Sequence, residues 1–274
     1  MTQRRIVIGD VHGHYDSLVT LLDTIAPTTE DQVYLLGDLI DRGSQSCQVV
    51  EFVKNSNYQC LRGNHEQMLL DILFNNDIYP PALEAWMYSG GKNTIDSYAD
   101  KRIKETHLDW MQTLPNYLDL GDLWLVHAGV DPTRPLLDQG IAQFCWIRDE
   151  FHSHPRPYFP DKLIITGHTI TFTLPGVAPG QIAQGPGWLG IDTGVYHPRS
   201  GWLTGLDTTN WLVYQVNTWT KVIRQSPLAE LLAPVSYKPN HRKRRNLQTL
   251  NENPQGLGDG LGEGITTPDR CNFN

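Results

Sequence analysis

With 39% hydrophobic residues, the 274-residue chain has enough apolar material for a sizeable core, and its length suits one large α/β domain better than two. A formal charge of −8 argues against a nucleic-acid partner, because phosphate backbones reward basic surfaces, and leaves acidity available for cations. Met1-Thr2-Gln3-Arg4-Arg5 runs into an apolar segment without a signal-peptide core, and no apolar stretch of about 18 residues follows, so a cytoplasmic protein with no membrane partner is expected. Cys47, Cys60, Cys145 and Cys271 form no CxxC pair and are expected to be reduced, acting as small hydrophobes.

Arg5-Ile6-Val7-Ile8, Val33-Tyr34-Leu35-Leu36 and Tyr58-Gln59-Cys60-Leu61 are short, β-branched or aromatic runs that end at glycine or a turn, which predicts buried parallel strands. Each is followed by metal-ligand types: Asp10 and His12, Asp38, then Asn64 with His65 and Glu66. Ligands after successive parallel strands collect at the carboxyl rim of the sheet, where binding crevices form. Helical spacing follows each loop: over 15–25, stopping before Pro27; after Gly43, with Ser44 or Ser46 able to cap; and over 65–74.

Residues 80–114 change character. Pro80-Pro81 open a segment with Leu83, Trp86 and Met87, Gly90-Gly91 break it, and Ile103, Leu108, Trp110, Met111 and Leu114 predict a second amphipathic helix, so a helical insert beside the site is expected. Leu123–Val126 then delivers His127, Leu163–Thr166 delivers His168, and Leu189–Ile191 delivers Asp192. Residues 202–216 read as an antiparallel hairpin closing the domain with a second sheet. From about 236 the apolar period is lost, Arg242-Lys243-Arg244-Arg245 form a basic run and glycines alternate, so the domain is expected over 1–235 with a disordered tail over 236–274.

Asp10, His12 and Asp38 offer one cation two carboxylates and an imidazole, while Asp38, Asn64, His127 and His168 can surround a second, with Asp38 bridging. This mixed donor set suits manganese, iron or zinc better than calcium or magnesium, and manganese is the first expectation. Asp192 and His14 are candidates for supporting positions around the ligands. His107, His152, His154, His197 and His241 lack a ligand context and are expected at the surface.

The motifs GDxHG, GDxxDRG and GNHE stand unbroken at Gly9–Gly13, Gly37–Gly43 and Gly63–Glu66. Through them the chain resembles, from Asp10 to about Gly194, the phosphoprotein phosphatase branch of the calcineurin-like metallophosphoesterases in its compact bacterial and phage form. The resemblance implies an α/β fold, a β-sandwich flanked by helices in four layers. It also implies phosphoserine or phosphothreonine hydrolysis, with phosphotyrosine as a further substrate, by attack of a hydroxide bridging two metals. Asp10, His12, Asp38, Asn64, His127 and His168 take the place of the metal ligands, His65 that of the general acid, Asp41 its partner, and Arg42, Arg62 and Arg148 the phosphate clamp. His127-Ala128-Gly129 departs from the two glycines of many members, and the long carboxyl-terminal region of eukaryotic members has no counterpart, so phosphoprotein substrates but no dedicated regulatory subunit are implied. The main alternative is a symmetrical bis(5′-nucleosyl)-tetraphosphatase, a group resembled less at Asp41 and Glu66, where it typically has alanine and aspartate. A cyclic phosphodiesterase or RNA-end phosphatase, and a catalytically silent metal-binding scaffold, complete the alternatives.

Overall fold

Side chains along the first strand divide between two cores, Ile6 and Ile8 on one face and Val7 on the other, as the two-residue period of a strand buried on both faces requires. The structure, a computed structural model, describes residues 3–74 and 80–237. Its strands are β1 (Arg5–Ile8), β2 (Gln32–Leu35), β3 (Gln59–Cys60), β4 (Tyr117–Asp119), β5 (Leu123–Val126), β6 (Leu163–Thr166), β7 (Ile182–Gly185), β8 (Trp188–Gly190), β9 (Trp202–Asp207), β10 (Leu212–Asn217), β11 (Ile223–Pro227) and β12 (Leu232–Pro234). They form two six-stranded sheets, ordered β11-β10-β9-β1-β2-β3 and β12-β7-β8-β6-β5-β4.

The helices are α1 (Tyr15–Ile25), α2 (Ser46–Asn55), α3 (Asn64–Phe74), α4 (Pro80–Trp86), α5 (Lys92–Ser97) and α6 (Glu105–Gln112), with shorter turns beyond. Leu18, Leu21, Val49, Val53, Leu69 and Met111 from α1, α2, α3 and α6 cover the outer face of the first sheet. Val7, Tyr34, Leu125, Ile165, Leu206 and Val213 fill the space between the sheets. Trp124, Ile164 and Trp188 pack with Phe144 and Phe151 on the outer face of the second. The result is the four-layer α/β sandwich expected from the resemblance, two sheets face to face with helices on both outer faces.

Three sequence expectations change. The β9–β10 hairpin does not found the second sheet; β9 pairs antiparallel with the free edge of β1, Ile6 opposite Asp207, and so extends the first. The second sheet comes instead from the middle strands and β12, several of them too short to show a period. Neither Ser44 nor Ser46 caps α2: Gln45 holds that position without a side-chain bond, and Ser46 Oγ accepts from the Asp41 N–H at 3.1 Å. The insert bends rather than breaks at its paired glycines, through a π-type turn at Met87–Gly91 in which Gly90 takes φ 110°. There its backbone lies so close to Arg42 that a Cβ would stand 2.5 Å from the Arg42 nitrogen. The basic run and glycine-alternating tail lie outside the described residues past 237, as do His241 and Cys271. Cys47, Cys60 and Cys145 are free thiols. Among the described residues no helix is long and apolar enough to cross a membrane.

Candidate metal centre

Two parallel trios, β1-β2-β3 and β5-β6-β8, end side by side, and their carboxyl ends supply the donors. Asp10, Asp38 and Asn64 follow strands of the first sheet; His127, His168 and Asp192 follow strands of the second. The rims are tied across the sandwich. The His127 ring nitrogen Nδ1 lies 2.8 Å from the Leu36 carbonyl oxygen, and the His168 N–H donates to Asp10 Oδ2 at 3.0 Å.

Bringing these loops together distorts them. His12 (φ 45°), Asp38 (50°), Asp41 (72°), Arg42 (68°) and His168 (62°) all occupy the left-handed region, which costs a non-glycine residue about 1–3 kcal/mol where surrounding structure must hold it. The motif glycines allow the approach: at Gly37 (φ 98°) a Cβ would meet the Gly63 nitrogen at 2.5 Å. Glu66 supplies the restraint. Fully buried, it accepts the N–H groups of Asp38 (2.9 Å), Leu39 (2.8 Å) and Gly63 (3.0 Å), clamping the second motif to the third. Glu66→Gln would turn an amide N–H₂ toward those donors. It is expected to lower unfolding free energy by about 1–3 kcal/mol, the cost of buried polar groups left unpaired, measured by urea denaturation.

Asp38 is the hub. Its carboxylate groups with His12 and His65 on one side and with His127 and His168 on the other, each trio holding its donor atoms within 4.8 Å of one another, all buried. His12 Nε2 and His127 Nε2 stand 3.6 and 3.4 Å from its oxygens, and Asn64 Oδ1 lies 3.0 Å from His127 Nε2 and 2.7 Å from His168 Nδ1. The outer nitrogens of His12, His127 and His168 face the carbonyls of Ile40 (3.0 Å), Leu36 (2.8 Å) and Trp146 (3.3 Å). Donation there leaves each inward nitrogen with a lone pair, the arrangement metal-bound histidines adopt.

Electrostatics agree with a cation site. Burial pushes the Asp10 carboxyl well up, with Asp192 and Asp38 adding to it, and pushes Asp192 up to about 6. Burial also pushes the imidazoles of His12, down to about 3, and His168 well below their usual range, so neither competes for a proton. Asp38 goes the other way. Burial opposes its charge, but the imidazoles of His127, His65 and His12 outweigh burial and hold it well below the carboxylate range. Burial opposes a proton on His127, but the adjacent Asp38 carboxylate outweighs it and raises that imidazole, so His127 and Asp38 hold each other's charge where a cation would take the proton's place. An ionised Asp38, the neutral imidazoles of His12 and His168, His127 and an amide oxygen in a buried cleft make a donor set that fits two divalent cations.

Asp10 is in the cleft, but its carboxylate accepts from the His168 backbone, and His65 takes the third place in the first trio. His65 Nδ1 lies 2.5 Å from Asp41 Oδ2, and its Nε2 faces Asp38 at 3.9 Å. Burial disfavours its proton, yet Asp38 and Asp41 outweigh burial and raise its pKa, as suits a proton donor. Asp41 is wholly buried and also accepts from Thr94 Oγ1 (2.5 Å) and Trp86 Nε1 (2.9 Å). Both donors come from the insert and carry no motif, so nothing in the sequence points to them.

The arginines separate. The Arg42 guanidinium lies 4.9 Å over the Tyr196 ring, and its Nε is buried without a partner. Arg148 donates to the His168 carbonyl (3.3 Å) and Thr169 Oγ1 (3.1 Å), beside the second trio. Arg62 is turned to Gln67 Oε1 (3.2 Å) and the Gln112 carbonyl (2.6 Å). Among the described residues none of the three forms an ion pair with a carboxylate. Tyr196, edge-on to the His12 ring at 4.8 Å, belongs to no motif and is added by the fold. Asp192 accepts from the Gly194 N–H at 2.9 Å, bracing its own loop. His14 Nδ1 lies 2.7 Å from the His12 carbonyl oxygen. His107 and His152, expected at the surface, are buried: His107 meets Tyr98 and Glu51, and His152 meets the Arg148 carbonyl and the Trp188 ring.

Residues 4–183 match the calcineurin-like phosphoesterase family. A Methylobacillus flagellatus protein named symmetrical bis(5′-nucleosyl)-tetraphosphatase is 32% identical over 127 residues, covering 46% of this chain and 43% of its own. A Klebsiella pneumoniae protein of the same name is 30% identical over 166 residues, covering 57% and 54%. The chain thus spans about half the length of the curated relatives it matches. A solved structure of a candidate diadenosine tetraphosphatase shares the fold, with a TM-score of 0.57, 19% identity and coverage of 83% of this chain and 94% of that one. A match over residues 4–183, on two sheets whose strand ends gather these donors, places the chain in the calcineurin-like phosphoesterase family.

Proposed function

We propose that this chain hydrolyses phosphate esters and anhydrides with two divalent cations, manganese first among them, held by Asp10, His12, Asp38, Asn64, His127 and His168, and that its substrate is a symmetrical dinucleoside tetraphosphate. The observation that carries the two-cation reading is the position of Asp38 between two donor trios. The names of the relatives support the substrate. When bound, the cations supply Lewis acidity that polarises phosphoryl oxygens and lowers the pKa of a water to about 7. Arg42 and Arg148, cations without carboxylate partners among the described residues, hold the equatorial phosphoryl oxygens, and Arg62 joins them by releasing Gln112. His65 gives its proton to the leaving oxygen while Asp41 holds the ring.

A second reading, hydrolysis of phosphoserine or phosphothreonine in proteins, is favoured by that His65–Asp41 pair. An alkoxide leaving group needs a proton far more than a nucleotide phosphate does, and a donor held by a buried carboxylate suits it. The test is kcat/KM on diadenosine tetraphosphate and on a phosphothreonine peptide with one manganese-loaded preparation. A preference for the tetraphosphate is expected. A preference for the peptide would put the second reading first, and turnover of neither would overturn both.

A further inference from the structure

Beside the cation site runs a groove of about 350 Å³, bounded by His14, Arg42, Gln45, Asn93, Trp219 and Lys221. Its volume falls in the range of small-molecule sites. Arg42 belongs both to this groove and to the loop that carries Asp41, so a phosphate on Arg42 would have the groove open next to it.

Trp219 is the unusual wall. It stands 54% exposed in the turn between β10 and β11 and lines the groove beside His14 and Lys221. The turn that carries it is fixed by hydrogen bonds. Asn217 Oδ1 accepts the N–H groups of Trp219 (3.1 Å) and Thr220 (2.9 Å), while Asn217 Nδ2 donates to the Ser200 carbonyl (2.8 Å). The Thr218 N–H donates to the Gly201 carbonyl at 2.7 Å, and the indole packs on Gly201, at φ 74°, where a Cβ would collide with it. Thr218 Oγ1 is also bonded to Ser17 Oγ of α1 at 2.6 Å. The ring meets His14 edge-on at 6.1 Å. Lys221 completes the turn in the left-handed region (φ 60°), and among the described residues its ammonium has no ion-pair partner. A half-exposed indole in a groove that Arg42 and Lys221 also line, neither of them ion-paired among the described residues, has the chemistry to stack a planar base and to take the phosphates attached to it.

Resting on the tetraphosphate reading, we propose that this groove seats one nucleoside end of the substrate, with the base against Trp219, the proximal phosphate on Lys221 and the next on Arg42. The substrate class is a nucleoside polyphosphate, and Trp219 and Lys221 are binding residues outside the cation cluster.

The test is calorimetry of ADP, inorganic phosphate and a phosphothreonine peptide with the manganese-loaded full chain and its Trp219→Ala, Trp219→Phe and Lys221→Ala variants. Trp219→Ala is expected to weaken ADP by about 10-fold or more, the scale of one base stacked on one aromatic, and to leave inorganic phosphate unchanged; Trp219→Phe restores most of the loss. Lys221→Ala is expected to weaken ADP more than phosphate. Equal ADP affinity in wild type and Trp219→Ala overturns the groove, as does a loss confined to the peptide. If ADP shows the expected losses but diadenosine tetraphosphate is not cleaved, the substrate assignment fails while the nucleoside groove stands.

Discussion

Asp38→Asn is expected to lower kcat/KM on every phosphate substrate by about 10³-fold or more, because transition-state charge stabilisation worth several kcal/mol is lost with the cations. Among the described residues Asp38 alone belongs to both donor trios. An amide keeps its size but withdraws the negative charge that three imidazoles surround, and its N–H₂ would face His12 or His127 where a lone pair is needed. The His65 N–H would lose a carboxylate acceptor, now 3.0 Å away, which also loosens the start of α3. Metal content and kcat/KM fall together on this account. Normal metal content with the same catalytic loss would mean that Asp38 acts in some way other than by holding cations.

His65→Asn should keep the cations and separate substrates by leaving group. For a phosphothreonine peptide the loss is expected at about 10² to 10⁴, the range for a positioned general acid. For p-nitrophenyl phosphate and for diadenosine tetraphosphate, whose leaving groups depart as stabilised anions, a loss of about 10-fold or less is expected. Steady-state kinetics on the three substrates with metal content matched to wild type makes the measurement. Equal losses on all three would assign His65 to phosphate positioning, a role its place in the first donor trio also permits.

Much of the centre is legible in the amino-acid sequence, because its donors sit in loops whose spacing is tight. Asp10, His12, Asp38, Asn64, His127 and His168 all stand just past apolar runs, and the fold gathers the six in one cleft fed by both sheets. The three opening strands show as unbroken apolar runs because they are buried on both faces. Strands β4, β7, β11 and β12 do not, since three to five residues on an edge or a short ladder carry no period. The hairpin's antiparallel place beside β1 depends on a strand about two hundred residues earlier, and local pattern cannot show such a pairing. Trp86 and Thr94 are invisible as supports of Asp41 for the same reason: the chain folds them back across some fifty residues to make bonds that no local rule encodes.

Substrate choice is the least legible feature. As sequence signals, Asp41 and Glu66 favour a protein phosphatase, while the relatives' names favour the tetraphosphatase alternative. In the structure both positions serve the cleft itself. Asp41 holds His65, whose proton bears on the leaving group, and Glu66 clamps two loops. The residues proposed above to line the space beyond the phosphate, Asn93 in the insert and Trp219 and Lys221 in the turn between β10 and β11, carry no motif.

The most direct test of the two-cation account is to strip the full chain of metal, titrate it with manganese, and follow bound ions per chain and phosphate release in the same samples. Two ions per chain, with hydrolysis absent in the stripped protein and complete only as the second site fills, is the predicted result. Full hydrolysis by the stripped protein, or with fewer than one ion per chain, would contradict it.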